Sequence, residues 1–119
     1  MDSDVRALLS IKRAIQQISK YTKYGWGAFE AEELFPVWTI WHLQTIHSIA
    51  GRISPPFRDQ HPELPSTLFQ GISHLIAADD NLSVNLEAVW LVTSERLPPL
   101  EESIDGILRR CTKRAGVAP

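Results

Sequence analysis

Residues 57–81, FRDQHPELPSTLFQGISHLIAADDN, decide how the rest of the chain is read. The stretch opens on His61-Pro62-Glu63-Leu64-Pro65. Each proline pushes the residue before it out of the α region, which forces a constrained turn. Ser66 or Thr67 then offers an N-cap hydroxyl. Leu68, Phe69, Ile72, Leu75, Ile76 and Ala77 recur at helical spacing and predict a buried helix over 66–78. Asp79, Asp80 and Asn81 stop it, because acids at a helix C-terminus oppose the macrodipole. A tight turn feeding so apolar a helix points to a bundle built around that helix.

The flanking sequence keeps the same period. Val5, Leu8, Ile11, Ile15 and Ile18 form one stripe of an amphipathic helix from Asp4 to about Tyr24, with Lys12, Arg13, Gln16, Gln17 and Lys20 opposite. Asp2, Ser3 and Asp4 sit at its positive end, and Gly25 and Gly27 terminate it. A short helical turn over 29–34 leads to Pro36, which opens a second long helix ending near Ile53. Its apolar residues cover more than one stripe. Ile40, Leu43, Ile46, Ala50 and Ile53 make one face, and Val37, Trp38, Trp41 and Ile49 extend it around the cylinder. Such a helix is buried on two sides, the second side being either core or a partner subunit. Trp38 and Trp41 are the candidate anchors of that interface.

Ser54-Pro55-Pro56 ends this helix, and a short helical turn over 57–60 follows. Beyond the central helix, Ser83 caps a helix from Val84 to about Thr93. Pro98 and Pro99 then open a final helix with Glu101 and Glu102 in its first turn. No segment alternates with period two. The expected fold is all-α: a single domain over 1–119, a compact bundle of about five to six helices.

Composition bounds the function. A chain of 119 residues with 44% hydrophobic content has enough apolar surface for one core. A net charge of −2 exerts no global pull toward nucleic acid or membrane. Cys111 is the single cysteine, so no intrachain disulfide forms and a reducing cytoplasm is the expected compartment. The segment MDSDVRALL has acids and no long apolar core, so no signal peptide is read there, and no apolar run approaches the roughly 20 residues of a membrane span. His42 and His47 are five apart and lack the i, i+4 pairing that favours zinc. Both read as satisfied or partly exposed structural histidines, and no metal or cofactor is expected. Arg109, Arg110, Lys113 and Arg114 complement the dipole of the last helix, with an RNA-phosphate patch as the sharper reading.

RDQHPELP, Gly71, VNLEAVW and LPPLEESIDGIL, in that order and spacing, resemble the HepT family of the HEPN superfamily. Tyr21-Thr22 and Arg52-Ile53-Ser54 fit the same pattern, so the likeness spans essentially the whole chain. The resemblance implies a small helical bundle, a homodimer, and a toxin–antitoxin system in which a minimal nucleotidyltransferase is the antitoxin partner. It also implies metal-independent RNA cleavage by an Arg–x4–His–x–Tyr motif after the HPE-x-P turn. There a His moves the proton of the attacking 2′-OH and an Arg holds the developing phosphate charge. The Tyr of that motif is the family's site of AMP attachment.

The motif itself is missing. Counting from Pro65 puts Ser73 at the Arg position, Ala78 at the His position and Asp80 at the Tyr position, and one extra residue near 79–82 would shift only the last. No Arg or Tyr lies between Gly71 and Trp90, and His74 is the lone histidine there. Three readings therefore stay open. One is a dimeric binding or regulatory subunit that has lost catalysis. Another is a ribonuclease with relocated groups, His74 or His47 as acid–base and Arg52 or Arg58 on phosphate. The third is a helical scaffold whose unrelated protein partner contacts Trp38 and Trp41.

Overall fold

The computed structural model describes residues 3–77 and 86–114, with the side chains of 66, 73–77 and 112–114 left aside. Asp2, residues 78–85 with the expected Ser83 cap, and residues 115–119 lie outside the described residues. Every regular element among those described is helical. They are α1 (Ser3–Thr22), α2 (Trp26–Ala31), α3 (Leu34–Ala50), α4 (Pro55–Gln60), α5 (Ser66–Ala77), α6 (Leu86–Leu91), a π-helical segment (Val92–Arg96) and α7 (Leu97–Arg114). The chain is an all-α bundle. No helix among the described residues is long and apolar enough to cross a membrane.

The core follows the periodicity. Leu8, Ile11, Ile15 and Ile18 of α1, Leu43, Ile46 and Ala50 of α3, Phe69 and Ile72 of α5, and Leu97, Leu100, Ile104 and Ile107 of α7 are buried together. α1 packs most extensively on α3 and also on α7, and α3 packs in turn on α5. Burying each aliphatic side chain contributes about 1.5–3 kcal/mol, which ranks this stripe above every polar contact in the fold. The short α2 adds an aromatic cluster that periodicity did not reveal: Phe29 is buried with ring centroids 5.1 Å from Trp90 and 5.9 Å from Trp26. Gly25 adopts φ 91° between α1 and α2, a region open to glycine at little cost.

The prolines behave differently from expectation at two places. Pro55 and Pro56 do not merely end the preceding helix. α3 stops at Ala50, and the two prolines occupy the first turn of α4, where their missing N–H groups need no acceptor. Pro98 and Pro99 sit in the first turn of α7 as expected, but no break precedes them. The helical path runs unbroken from Leu86 through Val92–Arg96 into α7, and the Leu97 N–H donates to the Val92 carbonyl five residues back. The wider π turn sits directly before two residues that cannot donate, where a regular α ladder would be interrupted anyway.

Two polar ties flank α4. Asp4, expected only to cap its own helix, is buried, and its carboxylate accepts the Ser54 N–H at 2.8 Å and the Ser54 hydroxyl at 2.8 Å. It thereby clamps the start of α1 to the entry of α4. Charge-assisted hydrogen bonds of this kind contribute roughly 1.5–3 kcal/mol. Asp4→Ala is therefore expected to lower unfolding stability by about 2 kcal/mol in urea titration, with Asp4→Asn intermediate. Equal midpoints for Asp4→Ala and the unmutated chain would remove this clamp from the account. Just after α4, the Arg110 guanidinium pairs with Glu63 and lies 3.3 Å from His61 Nδ1, which ties the proline-bounded turn to α7. A backbone hydrogen bond within Glu63 and then Arg110 hold the Glu63 carboxyl below its ordinary range.

Candidate functional site

The most distinctive surface lies on α3. Its sequence LFPVWTIWHLQTIHSIA is apolar around most of the cylinder, and the bundle covers only part of it. Thr39, Leu43, Ile46 and Ala50 face inward, while Leu34, Val37, Trp38 and Trp41 stay 74%, 47%, 39% and 58% exposed. Those four fall at i, i+3, i+4 and i+7 and so form one continuous stripe on the outer face. Trp38 and Trp41 stack with centroids 6.3 Å apart, and Tyr21 of α1 meets the Trp38 ring edge-on at 5.8 Å. Beyond Trp41 the outer face turns polar at Gln44, Thr45 and Ser48, which bounds the patch. The alternative that both tryptophans fill the core does not describe this fold.

His42 lies at the inner edge of the stripe. It is 6% exposed, and its ring sits perpendicular to Trp38 at 4.5 Å and to Trp41 at 5.0 Å. Its Nε2 and the neighbouring Thr39 Oγ1 are buried with no hydrogen-bond partner among the described residues. The expectation of a satisfied or partly exposed histidine is corrected here. A clue was in the spacing, since His42 stands four residues from both Trp38 and Ile46, on the border between outer and core faces. Burial holds its pKa below the ordinary 6.5. The unfolded chain therefore takes up this proton more readily, and the contribution is fully present above pH 6.5 and lost as pH falls below it. Urea midpoints are expected to drop more between pH 7.5 and pH 5.5 in the unmutated protein than in His42→Phe. Equal drops would show that another group sets the acid limb.

Among the described residues, the remaining candidates lie at the end of α3, in α4 and on α7. His47 is exposed in the last turn of α3, and Arg52 is exposed just beyond it. Arg58 is half-buried and donates from its guanidinium to the Ala50 carbonyl, so it serves first as a cap for the free carbonyl end of α3. Arg110, part of the basic C-terminal cluster, is engaged by Glu63. Ser73 and His74 belong to α5, with side chains outside the described set, and Ala78 and Asp80 fall outside the described residues altogether. Among the described residues no group of three or more His, Cys, Asp or Glu is gathered as a metal site. Comparison with family models, curated proteins and solved structures returns no match.

Proposed function

We propose that this chain is a HepT-like subunit that has lost the nuclease chemistry and works as a homodimeric binding or regulatory component of a toxin–antitoxin type system. The observation that carries the reading is the outer face of α3. A stripe of two stacked tryptophans with Leu34 and Val37 is the kind of surface that aromatic anchors of an interface occupy. The sequence adds the second support. Ser73 holds no fixed positive charge, Ala78 moves no proton, and Asp80 repels phosphate, so the three positions that would cleave RNA carry none of the needed chemistry. A minimal nucleotidyltransferase is the natural partner to test. Modification by AMP at 79–81 is not expected, because two carboxylates and an amide offer no hydroxyl there.

Purified protein incubated with total RNA tests the catalytic half of this proposal. The substrate is expected to remain at the background of a protein-free control. Cleavage by the unmutated chain that His74→Ala abolishes would replace the proposal with a ribonuclease whose acid–base group has moved. Cleavage lost in His47→Ala or Arg52→Ala would do the same, with the exposed end of α3 as the site.

A further inference from the structure

Between α5 and the path from α6 into the π-helical segment lies a cavity of about 350 Å³. Among the described residues, Leu68, Gly71, Ala88 and Val92 form its apolar walls, and Thr67 and Arg96 are its polar members. The opening comes from small residues on both helices. A Cβ placed on Gly71 would meet nothing within 4 Å, so the glycine leaves space instead of permitting a close helix contact. The π winding sets the polar end. In an α-helix, residues four apart are offset by about 40° around the axis. In the wider i→i+5 turn they stand almost above one another. Val92 and Arg96 bound that turn, and both line the cavity. π turns of this kind often mark functional sites.

The charge of the cavity is one-sided. Among the described residues Arg96 is its single ionisable member, no acid lines it, and no ion pair or hydrogen bond engages the Arg96 side chain. A guanidinium offers five donors in a planar fork suited to carboxylate or phosphate. The volume is at the small end of the range for organic ligands. We infer that this cavity is a binding site for a small amphipathic organic anion. The ligand's apolar body lies along Leu68, Ala88 and Val92. Its carboxylate or phosphate group meets Arg96, with the Thr67 hydroxyl as a second donor. The site uses no residue of α3 and stands independently of the dimer proposal.

Fluorescence titration with 1-anilinonaphthalene-8-sulfonate, an apolar body carrying one anionic group, tests the inference. One saturable site is expected. Arg96→Gln weakens it about tenfold, and so does replacing the probe by the uncharged N-phenyl-1-naphthylamine. Gly71→Leu fills the cavity with a better helix former and abolishes binding while the thermal midpoint holds or rises. Trp38→Glu leaves the titration unchanged, which separates the cavity from the exposed stripe. Failure of the sulfonate to saturate, or equal affinity in the unmutated chain and Arg96→Gln, overturns the site. Arg96 is exposed, so that variant keeps the native fold even if leucine at 71 does not.

Discussion

A chain carrying Trp38→Glu and Trp41→Glu together is expected to stay monomeric at concentrations where the unmutated protein is a dimer. The size of the effect follows from the outer face of α3. Anchors of an interface typically lose 2 kcal/mol or more on truncation. Glutamate adds the cost of burying a charge without a partner, about as much again. A two-fold axis places each substitution in the interface twice. With about 1.4 kcal/mol per tenfold, the dissociation constant should rise by at least ~10³. Folding should be affected less at 41 than at 38, since Trp41 is more than half exposed while Trp38 also packs on Tyr21 and His42. The check is sedimentation velocity of both proteins beside their far-ultraviolet circular dichroism. An unchanged sedimentation coefficient in the variant would move the association surface off α3.

The second large effect concerns RNA. Ser73→Arg with Ala78→His returns the charge stabiliser and the proton carrier that the resemblance assigns to those positions. General acid–base help is worth roughly 10²–10⁴ in rate, and one preorganised charge donor a further ~10²–10³. The restored variant should therefore cleave total RNA at least ~10⁴-fold faster than the unmutated chain, which stays at background. Each single substitution should recover only part of this. A restored variant as inert as its parent would show that the scaffold has lost the cleft as well as its chemistry.

The long helices were legible because burial imposes the 3.6-residue period directly on the sequence. Val5 to Ile18 and Leu97 to Ile107 carry it, and both lie in the core except at the partly covered Val5. Helix ends were less legible, because prolines have two uses. Pro55 and Pro98 each read as a boundary, yet one sits in a first turn and the other follows a π turn that absorbs its missing donor. The outer stripe was readable as an excess of apolar residues on α3, but the sequence could not say whether Trp38 and Trp41 faced core or solvent. That depends on where α1 crosses, and Tyr21 covers only part of Trp38. Long-range polar contacts were invisible. Asp4 and Ser54 are fifty residues apart, and no local pattern joins them. The Arg96 cavity escaped for the same reason, since its walls come from two helices and an irregular turn.

The claim on which the account rests is that α3 closes against a second copy of itself. Sedimentation equilibrium of the unmutated chain over a wide micromolar range tests it most directly. The account predicts a mass of twice 13.4 kDa at the upper end, falling toward 13.4 kDa on dilution. A constant 13.4 kDa across the whole range would contradict it.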